Sequence, residues 1–202
     1  MSRDHPIQFW FSIGSTYTFL TAARLPGIEA SCGVSFEWRP FNVRAIMIEQ
    51  SNIPFRNKPI KSAYMWRDIE RRAEKYGLAA KLPAPYPLKE FDLANRVAVL
   101  GVREGWCAGY VQAAYRRWFG EGLEAGSEPN LSRSIAEAGQ DPERVVAAAN
   151  SEAIATAYEA ATEEARKLNI FGAPTFVVGD EVFWGDDRLD DAIAWSRSGK
   201  LA

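Results

Sequence analysis

Histidine is almost absent from this 202-residue chain, which carries one, and cysteine is scarce, with two. His5 precedes the first candidate strand and has no second histidine to act with. A Ser-His-Asp triad and a His-rich metal site both lack support, and no metal is expected. Cys32 and Cys107 lie 75 positions apart, each without a cysteine neighbour, which excludes a Cys-x-x-Cys redox pair and zinc-ligand spacing. They read as two thiols in a reducing compartment. No apolar run approaches the ~18 residues that span a bilayer, and the opening MSRDHPIQ lacks the apolar stretch of a secretory leader. The chain is therefore expected to be cytoplasmic, with no membrane partner. A basic excess is missing too: the formal charge of −2 does not suit nucleic acid, and Arg67, Arg71 and Arg72 read as a solvated helix face. There is no Gly-rich phosphate loop, internal repeat or low-complexity tract. What remains, 47% apolar and 25% charged, is ordinary for a globular domain long enough for one core with a large insertion.

The most informative stretch that is present runs from Phe171 to Leu189, FGAPTFVVGDEVFWGDDRL. A helix should end at Phe171-Gly172, and Ala173-Pro174-Thr175 then feeds the apolar run Phe176–Val178. Gly179-Asp180 reverses the chain into Val182–Trp184, a strong hairpin signal, and Gly185-Asp186-Asp187 opens a last helix. A proline just before a strand fits a cis X-Pro turn, because only X-Pro bonds adopt cis at small cost. Helix, cis-proline, hairpin, helix is the second half of a thioredoxin fold, whose proline faces a reactive group at the start of the first helix.

The N-terminal residues supply that start. Ile7 to Ser12 is an aromatic strand candidate and Val34 to Trp38 a second. Between them Tyr17 to Leu25 has helical spacing with Phe19, Leu20 and Ala23 on one face, Ser15 or Thr16 as N-cap, and Pro26 expected to kink or end it. Where a redox member carries Cys-x-x-Cys, this chain has Ser15-Thr16-Tyr17-Thr18. The segment from Phe41 to Asn169 reads almost wholly helical, with candidates Lys58–Gly77, Phe91–Trp106, Tyr110–Phe119, Leu131–Ala138, Pro142–Ala149 and Glu152–Leu168, and Leu82–Pro87 as an irregular proline-rich connector. The expectation is an α/β thioredoxin fold with a large all-helical insertion after the second strand. Residues 1–40 and 151–202 would form the thioredoxin-like domain and 41–150 the insertion.

Three segments carry a family resemblance. Ser15–Leu25 (STYTFLTAARL) is similar to the Ser-Pro-Phe/Tyr-Ser-Tyr-Leu-Ala segment of the DsbA-like glutathione enzymes, the kappa-class glutathione transferases and 2-hydroxychromene-2-carboxylate isomerases. Asn57–Gly77 resembles their Asn-x-Pro-x-Lys-x-x-Tyr-Met helix, and Phe171–Leu189 their Phe-Gly-Val-Pro-Thr hairpin and Trp-Gly-x-Asp-Arg-Leu helix start. Two positions depart from the pattern: Ser12 stands where the family usually has Asp, and Thr16 where it has Pro.

The resemblance implies glutathione as cofactor and a small aromatic-degradation intermediate as substrate, isomerised by reversible thiolate addition. It also implies a possible homodimer. Ser15 would be the catalytic hydroxyl, with Thr16 or Thr18 as alternatives. Asn57, Lys61, Ala173, Pro174, Asp186 and Asp187 would hold the cofactor, Asp187 with Asp186 beside it meeting the γ-glutamyl group. Ala173 would pair with its cysteinyl backbone as a short added strand. Tyr64, Trp66 and Arg39 are candidates for lining the substrate, with core packing the alternative for both aromatics.

The energetics suit a hydroxyl at a helix start. A thiol with pKa near ~8.5 is only about 3% thiolate at neutral pH, and lowering it by ~2 units needs ~2.7 kcal/mol. A charge-assisted hydrogen bond of ~1.5–3 kcal/mol plus a helix-terminus contribution of ~0.3–1 covers that without a histidine. A kappa-like transferase or peroxidase is the alternative within this chemistry. A non-catalytic thioredoxin-fold binding protein, indifferent to Ser15 and to glutathione, is the alternative outside it.

Overall fold

The aromatic strand Ile7–Phe11 (β1) becomes the buried middle of a four-stranded sheet, because four of its five side chains are inaccessible to solvent. In the computed structural model, which describes residues 6–53, 55 and 57–201, the strand order is β2-β1-β3-β4. Phe36–Pro40 (β2) runs parallel to β1, with Ile7 opposite Phe36 and Phe11 opposite Pro40. Thr175–Val178 (β3) is antiparallel to β1, and Glu181–Trp184 (β4) closes the expected hairpin. His5 lies outside the described residues.

The second strand is shifted two residues from its expected position, Val34–Trp38. It ends on Pro40 because an edge strand can place a residue without an N–H where no neighbour asks for one. Both outer layers are helical. Thr16–Cys32 (α1) follows β1. Between β2 and β3 come Val43–Glu49 (α2), Pro59–Lys75 (α3), Phe91–Glu104 (α4), Cys107–Tyr115 (α5), Asn130–Glu137 (α6), Pro142–Ala149 (α7) and Glu152–Lys167 (α8); Leu189–Ser198 (α9) ends the chain. This is the thioredoxin order with a long helical insertion after the second strand. Among the described residues no helix is long and apolar enough to cross a membrane.

Three expectations about the helices are corrected. Pro26 does not end α1, which continues to Cys32 and stops at Gly33 (φ 65°), whose N–H reaches Glu29 O at 3.1 Å. Pro26 sits on the exposed side, and burial of Leu25 against the core outweighs one missing helical hydrogen bond. Ala22, not Ala23, joins Phe19 and Leu20 inside. The helix α2 had no place in the sequence reading, and Arg116–Glu121 departs from α geometry as a π-helical turn.

The insertion grips the sheet at the loop between β1 and α1. Asn95 is fully buried on α4; its side-chain oxygen accepts from Ile13 N–H at 2.7 Å, and its amide donates to Ile13 O and Phe91 O, both at 2.8 Å. Gly14 (φ 125°) leaves no room for a side chain, since a Cβ would stand 2.7 Å from the Phe91 ring. From α5, the Tyr115 hydroxyl lies 3.1 Å from Ser12 O and 3.0 Å from Ser15 O, and burial keeps it protonated as a donor. On the other flank α3 is tied to α1: Tyr17 donates to Asp68 at 3.0 Å and Arg72 donates to the same oxygen at 3.0 Å. Burial alone would raise the Asp68 pKa, but hydrogen bonds from Arg72, Tyr17 and Arg71 outweigh it and hold the carboxyl below its ordinary value.

Asn95→Ala strands the Ile13 N–H and C=O in a dry core and should cost about 2–4 kcal/mol, read as the shift of the urea unfolding midpoint. A midpoint within error of wild type would mean the loop is held by other contacts. Asp68 has a folded pKa below its unfolded one. Its contribution is therefore complete above the unfolded value of about 3.9 and vanishes as pH falls through the folded one. Unfolding free energy measured from pH 7 to 2 should fall less steeply below about pH 4 in Asp68→Asn than in wild type.

Candidate active site

Ser15 is the N-cap of α1, in extended geometry (φ −81°, ψ 122°), and its hydroxyl oxygen accepts from Thr18 N–H at 3.4 Å. The same hydroxyl donates to Ala173 O at 2.7 Å. The Ala173-Pro174 bond is cis, so the start of α1 and the proline turn meet as the sequence reading expected. No acidic residue occupies the first turn of α1, which leaves its unpaired N–H groups free to favour an anion.

The alternative hydroxyls are not equivalent to Ser15. Thr16 is buried and lies 3.2 Å from the Met65 sulfur, and Thr18 is fully buried, whereas Ser15 is partly exposed. Ala173 is also partly exposed, and its N–H has no partner among the described residues. A free N–H beside a cis-proline is what an extended peptide backbone can pair with. Gly172 before it lies against the Trp184 indole, which a Cβ there would have to displace.

The adjacent acids Asp186 and Asp187 separate completely. Asp186 is buried: its Oδ1 accepts from Thr21 Oγ1 at 2.9 Å and from Arg24 Nη2 at 2.6 Å, and Arg72 Nη1 stands 4.0 Å from Oδ2. Asp187 is half exposed, and its carboxylate lies 3.3 Å from Arg188. They open a single 3₁₀ turn, Asp186–Arg188, ahead of α9. Asn57 is exposed at φ 58°, just before α3, and Lys61 is exposed on that helix, its Nζ 6.0 Å from the Phe55 ring centre. Among the described residues neither is hydrogen-bonded to the Ser15 group, and both are exposed, Asn57 ahead of α3 and Lys61 in its first turn.

Of the candidates for lining the substrate, Tyr64 is 62% exposed, not packed in the core, and Trp66 is half buried, its ring centre 6.0 Å from that of Tyr86 in an edge-to-face pair. Arg39 pairs with Glu37 at 3.2 Å. Arg72 is no solvated residue, since it joins Asp68 to the Asp186 carboxylate. Sequence reasoning missed Asn95, Tyr115, Arg24 and Thr21. Asn95 alone left a local signal, a polar residue on the buried face of the apolar helix LANRVAVL. Among the described residues no group of His, Cys, Asp and Glu is placed to hold a metal ion.

A family model described as a DSBA-like thioredoxin domain matches residues 6–193. The 2-hydroxychromene-2-carboxylate isomerase of Sphingobium xenophagum is 29% identical over 186 residues, 91% of this chain and 94% of that protein. The Pseudomonas putida protein of the same name is 25% identical over 185 residues, 91% of this chain and 90% of its own. A solved 2-hydroxychromene-2-carboxylate isomerase superposes with a TM-score of 0.82 at 26% identity, covering 92% of this chain and 91% of that one. The cytosolic disulfide reductase DsbM from Pseudomonas aeruginosa, solved with GSH, has a TM-score of 0.63 at 14% identity over 95% of each chain and shares the fold alone. The resemblance carried by the three sequence segments thus extends over most of the chain, which belongs to the DsbA-like thioredoxin domain family.

Proposed function

We propose that this protein is a glutathione-dependent isomerase acting on an aromatic oxo acid of the 2-hydroxychromene-2-carboxylate type. The observation that carries the reading is the Ser15 hydroxyl, set at a helix N-terminus and 2.7 Å from the carbonyl before cis-Pro174, in a chain whose relatives bear that isomerase name. When bound, glutathione would supply a thiolate that adds reversibly to a conjugated alkene and so permits rotation about it.

The residues fit such a group. Ala173 offers an N–H that has no partner among the described residues to a peptide backbone, and Asp187 is a half-exposed carboxylate for an ammonium. The first-turn N–H groups of α1 favour negative charge beside Ser15. Ser15 would turn its O–H from Ala173 O to the sulfur, exchanging a neutral hydrogen bond for a charge-assisted one. Asn57 and Lys61 are accessible to the remaining polar end of the tripeptide. Asp186, buried and held through its Oδ1 by Thr21 and Arg24, would support the turn rather than meet the ligand. The protonated Tyr115 hydroxyl fixes the Ser12 and Ser15 carbonyls and so the direction of the first turn.

Calorimetric titration with reduced glutathione, followed by turnover of hydroxylated benzylidenepyruvates, tests the reading. Ser15→Ala should lower the thiolate-dependent rate roughly 10- to 150-fold, the loss of one charge-assisted hydrogen bond of ~1.5–3 kcal/mol, with partial recovery at higher pH. A wild-type rate would reduce Ser15 to a helix cap. The two aspartates should part company in the same assays. Asp187→Ala should weaken glutathione binding while leaving the unfolding midpoint in place. Asp186→Ala leaves Arg24 unpaired in a mostly buried setting and should destabilise the fold by about 3–5 kcal/mol. Equal losses of stability in both variants would contradict this division.

A further inference from the structure

The buried hydroxyl of Tyr115 is not required to satisfy either carbonyl that it meets. Tyr115 ends α5, and its hydroxyl lies 3.1 Å from Ser12 O and 3.0 Å from Ser15 O. Both oxygens have another donor. Ser12 O accepts from Ser15 N–H at 3.0 Å, and the N-cap carbonyl of Ser15 takes the first intrahelical bond of α1. A phenylalanine would fill the same space and leave neither oxygen unsatisfied. The ring is held in place: its centre is 5.5 Å from that of Trp118 in a stacked pair, and Trp118 Nε1 donates to Pro85 O at 2.7 Å. Burial raises the Tyr115 pKa far above its ordinary value, so the group stays a donor through the neutral range.

The Ser15 carbonyl shares a peptide plane with Thr16 N–H, the first orphan donor of α1. Thr18 N–H is taken by the Ser15 hydroxyl, whereas the N–H groups of Thr16 and Tyr17 have no acceptor among the described residues. A hydrogen bond donated to an amide oxygen draws electron density from the amide nitrogen. The N–H of that unit becomes a stronger donor, by about 10–30% per bond. A low dielectric favours the effect, and Ser12, Thr16 and Tyr115 are all buried.

We propose that Tyr115 is a positioning residue that strengthens anion binding at the start of α1, its hydroxyl polarising the Ser15–Thr16 peptide and with it the Thr16 N–H that would meet the anion. This rests on the functional reading above, in which the anion is a thiolate. It deepens that reading by naming a group behind the binding surface that sets how strongly the thiolate is held.

Ser15→Cys places a thiol of the protein itself at this helix start, so the test needs no glutathione. Cys32→Ser removes the other accessible thiol, Cys107 being buried. The pKa is read from the ultraviolet absorbance of the thiolate as pH is varied. In that background Tyr115→Phe should raise it by roughly half a unit, a ~3-fold fall in the thiolate-to-thiol ratio. Tyr110→Phe is the control, because its hydroxyl is buried on the same helix but lies 3.3 Å from Ala94 O of α4. It should leave the thiol pKa unchanged. The charged groups packed around α1, Asp68 and Arg72 on α3 and Arg24 with Asp186, are common to all variants, as is Tyr17. A thiol pKa in Tyr115→Phe within error of its parent, or a shift matched by Tyr110→Phe, overturns the proposal. If Tyr115→Phe does not fold, ring fluorination of Tyr115, which makes a stronger donor of nearly the same shape, should lower the thiol pKa; no lowering overturns the proposal. A shift specific to Tyr115 with no glutathione binding to wild type leaves this inference standing and removes the isomerase reading. Glutathione binding and turnover without a Tyr115 effect removes this inference alone.

Discussion

The arrangement depends on one side-chain amide. Asn95 satisfies both hydrogen-bonding groups of Ile13 and the carbonyl of Phe91 in a space from which water is excluded. An apolar residue there would leave the loop's backbone unsatisfied, and an acid would set a carboxylate against two carbonyl oxygens. Only a side chain that both donates and accepts closes the set. Because Ile13 is two residues before Ser15, this clamp fixes where α1 begins and therefore where the hydroxyl stands. The helical insertion is thus part of the site's frame. Asn95 and Tyr115 belong to it and hold the loop from two helices, while Phe91 fills the space that Gly14 leaves open.

The sequence was most legible where chemistry is local. The hairpin from Thr175 to Trp184, the cis bond at Pro174, the N-cap at Ser15 and the starts of α4, α7 and α8 all follow from residues close in the chain. It was least legible where a tertiary contact decides. Pro26 carries a strong local signal to stop a helix, yet burial of Leu25 carries α1 through it. The offset of β2 comes from its pairing with β1, and no residue between Val34 and Pro40 announces it. In the site, the thioredoxin-like pattern led to Ser15 and Ala173, and the family resemblance to the two aspartates. It offered no means of separating Asp186 from Asp187, because the partners Thr21 and Arg24 lie about 165 positions away.

That separation shows how α1 organises the whole region. Ser15 caps its N-terminus; Thr21 and Arg24, six and nine residues on, hold the Asp186 turn from which Asp187 projects. At 1.5 Å per residue those intervals are about 9 and 14 Å, the reach of roughly three to four extended residues. A single rigid helix therefore sets the distance between the hydroxyl and the exposed acid. Arg72 joins Asp186 to Asp68, so the same spacing is also braced from α3, which carries Lys61 and follows Asn57. With Ser15-Thr16-Tyr17-Thr18 and no cysteine at the start of α1, the frame holds a helix terminus that favours an anion, a hydroxyl able to donate to it, and buried ion pairs that keep the two ends at a fixed separation.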